Sequence, residues 1–208
     1  MNNISYKLYS CTDSGLMTHS TVEESVAAGL RGGADIIQLR EKNASSRELY
    51  DLAVRVKRVT DSFGKPLIID DRIDVALAAD AAGVHLGQSD IPCDVAHRIM
   101  GADKMIGITA PTVELALKAQ ADGADYLGVG AMFVTSTKTD AKPNTRENLA
   151  AIRAAVNIPI VIIGGVKRTN VLDFAGMGVN GAAVISDIIA DKDPEAAARE
   201  MKEILLKL

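Results

Sequence analysis

Three cations, Arg40, Lys42 and Lys138, and two carboxylates, Asp71 and Asp90, are the side chains of this sequence best suited to polar chemistry. Arg40 and Lys42 lie in Gln38-Leu39-Arg40-Glu41-Lys42, where strand alternation puts Gln38 and Arg40 on one face and Leu39 on the other. Guanidinium and ammonium groups donate to phosphate oxygens and cannot accept, so such a cluster reads as an anion grip. Asp71 and Asp90 are hard oxygen ligands of the kind Mg2+ uses when it also holds substrate phosphates. Gly164-Gly165 and the stretch around Ser186 offer backbone amides and a hydroxyl to a second anion. Thr109 and the segment Thr135-Ser136-Thr137-Lys138 add further hydroxyls. Two anion subsites with a metal between them point to two phosphorylated ligands.

Taken singly, these motifs are ordinary. Arg-Glu-Lys is commonly a solvated turn, Asp71-Arg72 a local ion pair, Gly164-Gly165 a tight turn and residues 135–138 a polar loop. Their shared position in the chain is what joins them, because they follow short, mostly β-branched apolar runs. The runs are residues 7–11, 34–40, 66–70, 83–87, 104–109, 125–130, 158–164 and 181–186. Continuous runs of this kind are expected of strands buried on both faces of a parallel sheet.

Helical patterns separate the runs. Thr21 with Glu24 predicts a capping box, and Ser45 or Ser46 caps a helix carrying Leu49, Leu52, Ala53, Val56 and Val59. Thr112 opens another helix, and Asp193-Pro194-Glu195 puts proline in the first turn of the last one. Shorter stretches at 73–79, 94–100, 146–156 and 171–177 fill the remaining gaps as helices. Glycines at 32–33, 83, 123 and 178 are read as helix C-caps before strands. The expected fold is α/β, a single (β/α)8 TIM barrel forming one catalytic domain over residues 1–208, with an open doubly wound sheet as the alternative. Eight units with polar residues after nearly every run favour the barrel, whose strand ends converge on one mouth.

Composition agrees. Of 208 residues, 48% are hydrophobic and 24% charged, which excludes a disordered chain, and 3% aromatic content demands an aliphatic core. A net charge of −4 argues against a broad nucleic-acid or anionic-membrane surface while leaving room for a local anion site. Cys11 and Cys93 have neither metal-ligand spacing nor disulfide density, so small buried residues are expected. His85 reads as a packed, hydrogen-bonded strand residue, His19 as a loop residue and His97 as part of a peripheral helix. None has a spaced metal partner, and a zinc site is not expected. Residues 1–7 lack an apolar stretch and the longest apolar run, 158–166, is too short for a bilayer, which makes a cytoplasmic location the default by exclusion.

In order and spacing, the sequence resembles the thiamine phosphate synthase family across essentially the whole chain. The matching residues are Gln38-Leu39-Arg40-Glu41-Lys42, Asp71-Arg72-Ile73-Asp74-Val75-Ala76, Gly83-Val84-His85-Leu86-Gly87-Gln88-Ser89-Asp90, Ala124-Asp125-Tyr126-Leu127-Gly128-Val129-Gly130, Thr135-Ser136-Thr137-Lys138 and Ile163-Gly164-Gly165. The resemblance implies Mg2+-dependent coupling of hydroxymethylpyrimidine pyrophosphate with a thiazole phosphate, releasing pyrophosphate. It implies a dissociative path in which pyrophosphate leaves first and the thiazole nitrogen traps a pyrimidinylmethyl cation. By that likeness Gln38 contacts the pyrimidine, and Arg40, Lys42, Thr109 and Lys138 hold the pyrophosphate. Asp71 and Asp90 hold Mg2+, and Thr135, Thr137, Gly165, Ile185 and Ser186 line the thiazole phosphate site. Residues 131–148 are expected to act as a lid carrying Lys138.

Four positions depart from the family pattern. Asp70, on the substrate side, stands where Asn is usual, Thr109 replaces Ser, and Ala131 replaces a common Pro. Asp187 follows Ser186 where a small residue is usual, bringing a negative charge toward a phosphate site. Two rival readings are a thiazole tautomerase-like isomerase and a non-catalytic thiazole phosphate-binding protein. Neither needs a pyrophosphate grip, so the presence of Arg40, Lys42, Asp71, Asp90 and Lys138 together favours the synthase. No separate organic cofactor is implied, and a homo-oligomer is left open.

Overall fold

The computed structural model describes residues 4–134 and 143–208. Eight parallel strands run β1 (Leu8–Cys11), β2 (Ile36–Leu39), β3 (Leu67–Asp70), β4 (Gly83–Leu86), β5 (Met105–Thr109), β6 (Tyr126–Val129), β7 (Ile160–Ile162) and β8 (Gly181–Val184). Each pairs with the next, and β8 closes on β1 through Leu8–Ala182 and Ser10–Val184, so the sheet is a closed barrel. The alternation of the strands splits their side chains in two. Tyr9, Ile36, Ile68, Met105, Tyr126, Val161 and Ala183 fill the barrel interior. Leu8, Leu39, Leu67, Ile69, Val84, Ile106, Leu127 and Ile162 belong to the larger outer cluster packed under the helices.

The helices are α1 (Val22–Arg31), α2 (Ser46–Ser62), α3 (Ile73–Ala78), α4 (Cys93–Met100), α5 (Val113–Ala121), α6 (Arg146–Ala155), α7 (Ser186–Ile189) and α8 (Pro194–Leu205). Their starts are capped much as the sequence suggests. Thr112 accepts from the Leu115 amide, and Asp193 accepts from the Ala196 amide ahead of Pro194. The complete capping box belongs to Ser45 and Glu48. At Thr21 only half forms, because the Glu24 carboxylate is taken by the Ser20 hydroxyl at 2.6 Å.

Three expectations need correction. Residues 171–177 make a 3-10 turn, Val171–Phe174, in place of a helix, and the left-handed Gly176 and Gly178 follow it directly. The eighth strand is followed by two helices, α7 and α8, so helices and strands do not alternate strictly. Gly83 is not a cap but the first residue of β4, where an added Cβ would meet the Met105 carbonyl at 2.1 Å. The left-handed position after α3 is taken by Asp80.

The floor of the barrel is laced by side chains. Asp35 accepts from the Leu8 amide at 3.0 Å while its own amide donates to the Leu8 carbonyl at 2.8 Å. Asp125 makes the same reciprocal pair with Ile106, and Asn180 makes it with Ile160. Asp35 is further paired with Lys202 and with Lys65. Among the described residues, no helix is long and apolar enough to cross a membrane.

Candidate active site

A cavity of about 750 Å³ opens at the C-terminal ends of the strands. Every site residue inferred from the sequence that lies among the described residues faces it. These are Gln38, Arg40 and Lys42 after β2, Asp70 and Asp71 after β3, Asp90 after β4, and Thr109 at the end of β5. Gly165, Ile185 and Ser186 close the opposite wall. Thr135, Thr137 and Lys138, and with them the central part of the expected lid, lie outside the described residues.

The cations and carboxylates of the mouth share one another. Arg40 reaches Asp13 at 3.1 Å and lies 3.8 Å from Asp70. Lys42 bonds Asp70 at 2.9 Å and also Asp71. Burial raises the Asp70 pKa, with the Asp71 charge adding to it and Lys42 and Arg40 opposing. Burial works against the charge on Lys42, yet its bonds to Asp71 and Asp70 leave its pKa raised. Asp70 therefore has a compensated but costly charge, and it answers the departure from Asn by turning toward the two basic neighbours.

Asp71 has φ 61°, a left-handed backbone that aspartate tolerates better than most residues. Such a conformation costs on the order of 1–3 kcal/mol and tends to mark functional positions. Nearby, Asp90 accepts from the Gly87 amide at 2.6 Å. Partial burial raises its pKa, the Gly87 amide opposes, and the adjoining Asp71 carboxylate raises it again. Two neighbouring carboxylates that open onto one cavity, with Asp71 disfavouring the charge on Asp90, suit a hard divalent cation. Among the described residues, no group of three or more His, Cys, Asp and Glu side chains encloses a metal. Such a cation would complete its shell with phosphate oxygens and water.

The opposite wall is a close stack of backbone. Gly164 (φ 92°) and Gly165 (φ 66°) lie against Ala131 and Phe133, and a Cβ at Gly165 would come within 2.7 Å of the Phe133 Cβ. The Met132 and Phe133 amides donate to the Ile163 and Gly164 carbonyls, each at 2.9 Å, tying the base of the β6 loop to the β7 loop. Asp187, expected from sequence to bring a negative charge toward a phosphate site, is turned onto Arg168. It accepts from both the backbone amide and Nε of Arg168, and Arg168 also bonds Asp191 and Glu200.

Among the cavity residues not singled out from sequence as site residues are Tyr9, His85 and Tyr126. The available signal is the glycines beside them. Gly107 and Gly128 occupy inward positions of β5 and β6, where a Cβ would meet the Tyr126 ring at 2.1 Å and the His85 ring at 3.0 Å. Asp13, the partner of Arg40, comes from the loop after β1 and has no pattern of its own.

The family model described as thiamine monophosphate synthase matches residues 8–188. The chain is 50% identical over 205 residues to the thiamine-phosphate synthase of Clostridium beijerinckii, covering 99% of this chain and 98% of that one. It is 49% identical to the thiamine-phosphate synthase of Ruminiclostridium cellulolyticum over 99% of this chain and 98% of that one. The solved structure of thiamine phosphate pyrophosphorylase from Pyrococcus furiosus superposes with a TM-score of 0.89 at 40% identity, covering 96% and 95% of the two chains. The chain belongs to the thiamine monophosphate synthase family, and it is a transferase with a (β/α)8 barrel fold.

Proposed function

We propose that the chain couples hydroxymethylpyrimidine pyrophosphate with a thiazole phosphate to give thiamine phosphate and pyrophosphate, with the carboxyl group leaving as carbon dioxide where the thiazole is carboxylated. The observation that carries this reading is one cavity holding an amide, two cations, two paired carboxylates and a hydroxyl from neighbouring strands. They are Gln38, Arg40, Lys42, Asp71, Asp90 and Thr109. Gln38 suits the ring nitrogen and amino group of a pyrimidine, because an amide donates and accepts side by side. Arg40 and Lys42, joined by Lys138, fit the pyrophosphate. Gly165, Ile185 and Ser186, with Thr135 and Thr137, fit the thiazole phosphate.

Asp71 and Asp90 would hold Mg2+, which when bound stabilises negative charge on the leaving group. The protein's own contribution is preorganised charge. Arg40 and Lys42 exchange carboxylate partners for phosphate oxygens when the pyrophosphate binds, so that their charge is in place before the carbon–oxygen bond breaks. Two phosphate anchors then hold the ring nitrogen at attack distance from the pyrimidinylmethyl cation. The cavity asks for no general base, since the thiazole nitrogen attacks with its own lone pair. An isomerase acting on a thiazole carboxylate phosphate has no leaving pyrophosphate, and the Arg40–Lys42–Asp71–Asp90 group would serve nothing in it.

The test is product formation from both substrates with and without Mg2+. Metal-dependent release of pyrophosphate and thiamine phosphate is expected. Asp71→Asn, which keeps a residue tolerant of the left-handed backbone, is expected to lower kcat at least ~100-fold. Tight binding of thiazole phosphate with no product would transfer the assignment to the isomerase or the binding protein.

A further inference from the structure

A chain of hydrogen bonds crosses the barrel interior beneath the cavity. Gln38 Nε2 lies 3.3 Å from the Tyr9 hydroxyl, which lies 2.8 Å from that of Tyr126. Tyr126 is 3.1 Å from His85 Nδ1, and His85 Nε2 is 2.9 Å from Thr109 Oγ1. Five strands supply these five side chains, and both ends, Gln38 and Thr109, face the cavity. The space for the rings is vacated by Gly107 and Gly128.

Donor arithmetic orders the chain. An amide nitrogen only donates, so Gln38 gives a hydrogen to Tyr9. Burial keeps both phenols protonated, since it pushes the Tyr9 and Tyr126 pKa values well up. Each phenol therefore has one hydrogen to give. Tyr9, already accepting from Gln38, passes its hydrogen to Tyr126, and Tyr126 passes its own to His85 Nδ1. A neutral imidazole that accepts at Nδ1 carries its hydrogen on Nε2, which it donates to Thr109. The Thr109 hydroxyl hydrogen then has to point away from His85.

We propose that His85 is a positioning residue: held by Tyr126 as the Nε2–H tautomer, it turns the Thr109 hydroxyl into a donor aimed at the leaving pyrophosphate. In the opposite polarity Thr109 would spend its hydrogen on His85 and offer a phosphate oxygen only lone pairs. The same order leaves the Gln38 carbonyl oxygen for a donor on the pyrimidine. Both ligands thus read one chain, and its direction is set within the protein. The substrate side of this inference rests on the proposed function; the tautomer does not.

Two measurements test it. With only three histidines in the chain, nitrogen NMR of the 15N-histidine enzyme, assigned against His85→Gln, reads the imidazole directly. A neutral Nε2–H tautomer is expected, shifting toward a mixture in Tyr126→Phe, which keeps the ring and loses the hydroxyl. An Nδ1–H tautomer or an imidazolium at neutral pH would overturn the proposal. In turnover, His85→Ala is expected to lower kcat ~10–100-fold with KM for the pyrimidine substrate within about threefold, and His85→Gln to recover part of the loss. Thr109→Val should lose as much, and adding His85→Ala to it should cost nothing more. Additive losses would mean that His85 acts apart from Thr109 and would sink the idea. If the unmodified chain forms no product, the proposed reaction falls, and the tautomer still decides the relay.

Discussion

The two ends of the barrel use the same residue types to opposite effect. At the N-terminal end Asp35 is 7% exposed and has a backbone amide, Lys202 and Lys65 to itself. At the C-terminal end Lys42 divides itself between Asp70 and Asp71, and Arg40 between Asp13 and Asp70. The first arrangement satisfies one carboxylate fully. The second leaves several groups competing, so that an incoming anion and cation can replace partners that were never held exclusively. A stabilising charge and a functional charge differ here in the number of claims on each partner.

The largest stability effect expected from this contrast is at the floor. Asp35→Ala strips the Leu8 amide of its side-chain acceptor and two lysines of their partner, and should cost about 2–4 kcal/mol in urea unfolding. The kcat of the folded protein should be unchanged, and a large fall would erase the distinction between the two ends. A smaller effect of the other sign is expected at the mouth. Asp70→Asn removes a carboxylate that burial and Asp71 both make costly, while an amide can still accept from Lys42. Stability should hold or rise, and KM for the pyrimidine substrate should hold or fall; a tenfold rise in that KM would show Asp70 gripping the ligand directly.

The smallest effect belongs to the Arg168 cluster on the catalytic face, where one guanidinium serves three carboxylates. Backbone donation from Asp193, together with Arg168, holds the Asp191 pKa below its ordinary value. A carboxylate depressed on folding adds stability above its unfolded pKa, near 3.9, and loses it as pH falls through the folded value. Asp191→Asn should therefore cost less than about 1 kcal/mol at pH 7, with the difference from the unmodified chain vanishing in acid. A deficit that stayed constant with pH would place the effect in packing instead of charge.

Much of this was legible in the residues, and the limits have physical causes. Continuous aliphatic runs mark buried parallel strands, and polar residues just past them mark the mouth, which is why Arg40, Asp71 and Asp90 could be picked from their positions alone. The 3-10 turn at Val171–Phe174 could not, because its apolar residues fit a helical period and only the glycines at 176 and 178 argue against one. His85, Tyr9 and Tyr126 sit inside strands, where an aromatic or a histidine defaults to packing. Their meaning depends on which strands face each other across the interior, and local spacing carries no record of that. Gly107 and Gly128 record it faintly, as positions emptied for a neighbour distant in sequence.

The reciprocal bonds at Asp35, Asp125 and Asn180 join β1 to β2, β5 to β6 and β7 to β8. At the corresponding place between β3 and β4 the residue is Ala82, whose amide donates to the Leu67 carbonyl with no side chain to return the bond. The barrel is thus built like four two-stave panels, three of them riveted at the base and one left on backbone bonds. That panel carries Asp70 and Asp71 at the far end of one stave and His85 on the other, so the strand pair with the fewest side-chain ties at its foot is one of those that line the cavity.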